Sequence, residues 1–146
     1  FRFLVDDNNK AGHPLTLLTG QEVVVDGAYM AGADGSVPGL ANVEATGYVR
    51  MWKAAQAGDW ATVKKEQDWL AALMRIVTVP SGVAGSGAGV GAFKTAMALL
   101  GVFDTIQMPD PVCPLKGENV EAVARVLKEV GLTLAKTPQE VSDSTK

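Results

Sequence analysis

Apolar positions recur along this chain at two spacings, one suited to strands and one to helices. Residues 15–18 are a short apolar run closed by Thr19 and Gly20, which predicts a buried strand. Residues 21–31 carry Val25, Ala28 and Tyr29 at helical spacing, and Gly32 is placed to end that helix. Residues 35–37 predict a second short strand, stopped by Pro38, which has no N–H to give a ladder. Ahead of these elements, residues 1–5 read as the end of a helix and residues 6–14 as a polar loop. After Asn42, placed as an N-cap, Tyr48, Met51, Trp52 and Ala55 form the stripe of a helix that ends at Ala57-Gly58-Asp59.

A further helix is predicted over residues 60–77, with Asp59 as its cap and Val63, Leu70, Met74 and Val77 on one face. Residues 80–91 are glycine-rich and loop-like. Phe93, Met97 and Leu100 mark a helix that stops at Gly101. A proline-rich connector over residues 109–114 leads to a last helix holding Val120, Val123, Val126, Leu127 and Val130, ending at Gly131. Residues after Leu134 are polar and are expected to fray. Two short parallel strands do not make a stable sheet alone, and buried parallel strands need neighbours on both sides. The pattern therefore calls for further strands from a preceding segment or another chain. The helices after Asn42 can pack as a separate unit.

Composition narrows the class. Of 146 residues, 47% are hydrophobic and 20% charged, which describes a soluble globular domain with a real core. A net charge of −3 with no basic run gives no footprint for nucleic acid. No apolar run approaches the ~20 residues that span a bilayer. The single Cys113 cannot form an internal disulfide, and a reducing cytoplasm is the expected compartment. Phe1 to Leu4 meets Asp6 and Asp7 at once, which is not a signal peptide. With no initiator Met, either a processed start or a piece of a longer chain is expected.

Most side-chain chemistry is excluded. His13 and Cys113, each alone of its kind, supply neither a metal cluster nor a Ser-His-Asp set. The glycines from Gly82 to Gly91 lack the Gly-Lys-Ser/Thr ending of a phosphate loop, and no strand precedes them. Trp52, Trp60 and Trp69 fall on or near helix stripes and read as packing.

The motifs that remain are Thr19-Gly20-Gln21-Glu22, Gly32-Ala33-Asp34-Gly35, Ala41-Asn42 and Ala54-Ala55-Gln56-Ala57-Gly58-Asp59-Trp60. Phe93-Lys94-Thr95-Ala96, Leu99-Leu100-Gly101, Pro111-Val112-Cys113-Pro114-Leu115 and Val130-Gly131-Leu132 come after them. In this order and spacing they resemble the dihydrodipicolinate synthase / N-acetylneuraminate lyase family of class I, pyruvate-dependent aldolases. The resemblance implies an α/β chain, the C-terminal part of a (β/α)₈ TIM barrel, with a C-terminal helical extension. Residues 1–58 would hold the end of helix six, strand seven, helix seven, strand eight and helix eight. Residues 59–134 would be the extension and 135–146 a frayed tail.

In that family pyruvate, or the pyruvate part of a sugar acid, forms a Schiff base with a lysine of the sixth strand, and its carbon is joined to or cleaved from an aldehyde. A tyrosine usually shuttles the proton. The resemblance thus implies keto acid and aldehyde partners, no cofactor beyond the covalent Schiff base, and a homotetramer, without nucleic acid or membrane. It places the lysine, the tyrosine and the substrate-facing threonines before Phe1, so the chain carries no catalytic residue of its own and needs the N-terminal half. Lys53, Lys64, Lys65 and Lys128 read as solvated helix positions, and Lys94 as structural.

Two site elements stay within the chain. Gly20, Gln21 and Glu22 match the turn after strand seven that faces the variable end of the substrate, where Gln21 or Glu22 would bind hydroxyls or an amine. The bland alternative is that Glu22 only complements the positive end of its helix, typically worth about 0.3–1 kcal/mol. Val37 matches a position whose backbone carbonyl faces bound pyruvate, and Gly39 lies beside it. Dihydrodipicolinate synthases usually carry two aspartates where this chain has Gln21 and Glu22. Sialic acid lyases usually have a serine at Gly39 and an acidic pair starting at Glu22, where the next residue here is Val23. A dihydrodipicolinate synthase-like enzyme, an N-acetylneuraminate lyase-like enzyme and a related sugar acid aldolase or dehydratase all stay open. The reading outside enzymology is a non-catalytic helical interaction or oligomerisation module derived from the family.

Overall fold

The computed structural model describes residues 1–145 and divides the chain into two compact units, Phe1–Ala71 and a second that begins at Ala72. The first unit opens on helix α1 (Arg2–Lys10), so the loop expected from residue 6 is corrected. Its polar residues have helical roles. Asp6 and Lys10 pair one turn apart, while Val5 and Asn8 are buried. Strand β1 (Leu18–Thr19) follows, then a 3-10 turn (Glu22–Val24) and helix α2 (Val25–Met30). The helix expected over residues 21–31 is thus split at Val24, whose φ of −142° lies outside the helical range.

Gly32 ends α2 at a φ of +98°, a conformation that costs a residue without Cβ little. Its N–H reaches Tyr29 O, and Ala33 N–H reaches back to Ala28 O. The same pair of bonds closes α1 at Gly12 and later helices at Gly58, Gly101 and Gly131. Strand β2 (Gly35–Ser36) then pairs parallel with β1, Leu18 opposite Gly35 and Thr19 opposite Ser36. Asp34 N–H to Leu17 O and Val37 N–H to Thr19 O, both 2.8 Å, extend the pairing at either end. Leu17 is buried but Leu18 is 51% exposed, so the run expected to be buried is covered on one side only.

Asn42 is not the cap of the following helix. It ends a 3-10 turn (Gly39–Asn42) and donates from Nδ2 back to Gly39 O. Glu44 caps helix α3 (Ala45–Gln56), accepting from Gly47 N–H at 3.0 Å. Tyr48, Met51 and Ala54 are the buried stripe, so Ala54 replaces Ala55. Trp52 meets Tyr29 edge to face, ring centroids 5.0 Å apart. Helix α4 (Trp60–Met74) starts as expected at Asp59, whose carboxylate takes the Thr62 N–H at 3.1 Å. Gly47 lets α3 approach α4 closely, since a Cβ there would meet Leu70 Cδ2 at 3.0 Å.

In the second unit the chain tightens to a 3-10 turn (Arg75–Val77), and its buried positions are Leu73 and, three residues on, Ile76. Met74 and Val77 therefore lose the core places expected for them. Helix α5 (Gly89–Leu99) begins inside the glycine-rich stretch and buries Ala92, Thr95, Ala96, Ala98 and Leu99. The expected stripe of Phe93, Met97 and Leu100 is only half-buried. Small residues face the core here because α5 packs on helix α6 (Glu118–Glu129), whose Val120, Val123 and Leu127 fill the space.

The segment expected to fray holds helix α7 (Pro138–Ser142) instead. Thr137 and Glu140 form a capping box, and Val141 is 1% exposed against the unit. The polar letters there are capping chemistry around one buried valine. Among the described residues no helix is long and apolar enough to cross a membrane.

Two outcomes test this packing and its electrostatics. Leu127→Ala removes a fully buried side chain and is expected to cost about 2–5 kcal/mol in urea unfolding, while Lys128→Ala on the exposed face stays within about 0.5 kcal/mol. The Asp34 carboxyl is held below the usual range, first by the Leu17 N–H and then by His13. A depressed carboxyl stabilises above its unfolded value of about 3.9 and loses that contribution as the pH falls through its folded value. Acid titration of stability followed by circular dichroism should show a loss below about pH 4, smaller in Asp34→Asn.

Candidate functional site

Parallel strands bring their C-terminal ends to one edge. The turn after β1 and the turn after β2 therefore meet, and they hold Gly20, Glu22, Val37 and Gly39. The meeting is cross-linked, because Gly39 N–H donates to Glu22 Oε1 at 3.1 Å. Gly20 lies against the Val37 carbonyl, where a Cβ would sit 3.6 Å from the oxygen. Val37 itself is 68% exposed. Gln21 diverges from this cluster. Its N–H bonds to Thr19 Oγ1, and it lines a groove of about 310 Å³ with Phe1, Arg2 and Val24 beside α2.

One residue not singled out from the sequence holds the cluster in place. Gln67 of α4 is 4% exposed, and it donates from Nε2 to Glu22 O at 3.0 Å while Oε1 accepts Asp26 N–H at 3.1 Å. It satisfies both backbone groups at the break between the 3-10 turn and α2. A lone glutamine within a helix stripe carries no sequence signal for that role. Tyr48 of α3 is 5% exposed, and its hydroxyl finds no hydrogen-bond partner among the described residues. Burial pushes that hydroxyl's pKa far above the usual phenol range, and the nearby charge of Glu22 adds to the rise.

Tyr48 lines a second groove, of about 390 Å³, beside the free edge of β2. Leu18, Ser36, Pro38 and Trp52 share its wall. Within it the Tyr29 hydroxyl and Ser36 Oγ lie 2.7 Å apart. Burial raises the Tyr29 pKa, opposed by that bond. Both tyrosines thus stay protonated at neutral pH.

The cluster can accept hydrogen bonds, from the free oxygen of Glu22 and the Val37 carbonyl. It holds no nucleophile. Lys53, Lys64, Lys65, Lys94 and Lys128 all lie on helices, and Lys94 donates to Gln107 O as a tether between segments. Lys64 pairs with Asp68. No group of three or more metal-ligating side chains occurs among the described residues.

The family model of the dihydrodipicolinate synthetase family matches residues 2–130. Among solved structures, dihydrodipicolinate synthase from the commensal bacterium Bacteroides thetaiotaomicron is similar, with a TM-score of 0.74 and 23% identity. The match covers 82% of this chain and 39% of that one, so the chain spans well under half the length of the solved enzyme. At that identity the likeness is one of fold, an α/β fold similar to that of a TIM-barrel enzyme. No curated protein matches. A family match over nearly nine-tenths of the residues decides the assignment: the chain belongs to the dihydrodipicolinate synthetase family.

Proposed function

We propose that this chain supplies the last two strands of a (β/α)₈ barrel to a Schiff-base lyase that joins or cleaves pyruvate and an aldehyde. On this reading β1 and β2 are strands seven and eight, and the helices beyond residue 58 are the extension that assembles a homotetramer. The observation that carries it is the Glu22–Gly39 bond, which fastens two strand-end turns into one acceptor cluster at the edge where such barrels keep their sites. Family membership supports the reaction class. The exposed Leu18 and Val37, and the groove beside β2, support a need for covering strands.

The chemistry divides accordingly. A lysine outside this chain, its pKa lowered in a partly dry site, attacks the keto carbon as the neutral amine. The Val37 carbonyl faces the bound pyruvate, and Glu22, with Gln21 at its side, takes hydroxyl or amine hydrogens of the other substrate. Gly20 and Gly39 keep side chains out of that space. No cofactor is used, and the compartment is the cytoplasm.

Trapping with pyruvate and borohydride, read by intact mass, tests the reaction. The 146-residue chain alone should stay at 15.2 kDa without an adduct. Joined to the lysine-bearing half, in one polypeptide or by co-expression, the assembly should gain a covalent pyruvyl adduct on that half. Persistent absence of an adduct in the joined protein would favour the non-catalytic module. An adduct on the bare chain would place the lysine within it and sink the division of labour. In the active assembly, Glu22→Ala should raise the KM for the aldehyde or sugar acid about tenfold or more and leave that for pyruvate within about twofold.

A further inference from the structure

Among the described residues, β2 has β1 on one side and no strand on the other. A strand paired on one side leaves a row of backbone N–H and C=O groups facing away, and such an edge is a template for another strand. The groove of about 390 Å³ lies beside this edge. Helix α3 supplies Ala45, Val49 and Trp52 to its wall, and Leu18, Pro38 and Ala41 complete an apolar lining. The edge-to-face contact of Trp52 with Tyr29 holds that wall in place.

The polar groups of the lining are almost all engaged. The Tyr29 hydroxyl and Ser36 Oγ satisfy each other at 2.7 Å. Asp34 uses both oxygens, Oδ2 on Leu17 N–H at 2.7 Å and Oδ1 on His13 Nε2 at 3.0 Å. The Tyr48 hydroxyl is the exception, buried on a residue 5% exposed and without a partner among the described residues. A buried donor that finds no acceptor bears the full desolvation of the group, and such groups in native proteins are paired. The lining therefore suits an uncharged, extended segment that carries apolar side chains and one acceptor, a backbone carbonyl or a hydroxyl or amide oxygen.

The source of that segment follows from what the chain lacks. It covers 39% of the solved enzyme, so most of that enzyme's length lies outside the match. A closed barrel has no edges, so its last strand must border another. We propose, resting on the barrel reading given above, that the groove beside β2 receives one extended segment of the lysine-bearing half, which pairs with the free edge and brings to Tyr48 the acceptor its hydroxyl lacks. Tyr48 then checks the register of assembly. A slip of one residue along β2 turns the side chains of the segment to the opposite face and leaves the hydroxyl buried and unpaired.

Two variants of the full chain test this. Tyr48→Phe keeps the ring and removes the hydroxyl, and Val49→Glu puts a charge on a half-exposed part of the wall. Each should leave the urea-unfolding midpoint of the chain alone unchanged or raised. Association with the co-expressed lysine-bearing half, measured by sedimentation, should weaken about five- to tenfold in Tyr48→Phe and be lost in Val49→Glu. Wild-type halves that fail to associate, variants that associate as the wild type does, or a Tyr48→Phe chain less stable on its own would each overturn the inference. A dimer of the chain alone that Val49→Glu splits would assign the groove to a second copy and overturn it too. The pyruvyl adduct keeps the two failures apart. An adduct formed by Val49→Glu at the wild-type level sinks the docking and leaves the lyase standing, whereas an associated wild-type pair that forms no adduct sinks the lyase and leaves the docking.

Discussion

One carboxylate sets where the two strands of this fold lie against each other. Just ahead of β1 the Leu17 amide lies outside the ladder and needs an acceptor. Asp34 Oδ2 takes it at 2.7 Å while the Asp34 N–H returns a bond to Leu17 O. The residue thus grips its neighbour by side chain and backbone together. A slip of one residue would break both bonds and turn the buried Leu17 outward. Everything at the other edge inherits this register, because the turns carrying Glu22 and Gly39 meet only if the strands end level.

The two ends of the sheet are built for different purposes. At the C-terminal ends the groups are acceptors, backbone carbonyl and carboxylate, set in turns with glycine at the near approaches. At the N-terminal ends the groups satisfy one another: Asn8 bonds Leu15, Asp34 bonds Leu17, and His13 lies across them. Side chains tied at one end leave the opposite end free to be polar and open. Gln67 extends this arrangement from α4, satisfying the backbone just behind Glu22 so that the carboxylate need not.

Much of this could be read from the letters, and the failures share a cause. Glycines after apolar stripes marked helix ends correctly at Gly32, Gly58, Gly101 and Gly131, because that closure is local. The strand pair was legible from Leu17 and from Pro38, since periodicity and a missing N–H are also local. Polar residues misled wherever they were used internally. Asp6 to Asn9 read as loop, yet Asn8 is buried against Leu15. The residues after Leu134 read as fraying, yet Thr137 and Glu140 cap a helix that Val141 anchors. In α5 the bulky Phe93 and Met97 drew attention from Ala92 and Ala96, which face α6 because they are small. Gln67 was invisible, and Tyr48 legible only as part of a buried stripe, because what each faces lies across space, and spacing carries no record of that.

The repeated glycine closure has a consequence for how the chain tolerates change. Each closed helix ends on bonds made within its own last turn, so its length is independent of the segment beyond it. The segments after Gly12, Gly58, Gly101 and Gly131 can then lengthen or shorten without moving the helix that precedes them, and the loop-closure cost of such a change grows only slowly with length. Insertions and deletions are therefore tolerated best beyond Gly101 and Gly131, and least after Gly58, where the next residue, Asp59, already caps α4. Within β1, β2 and the few residues between Asp34 and Gly39 they are not, because there every position is counted from Leu17.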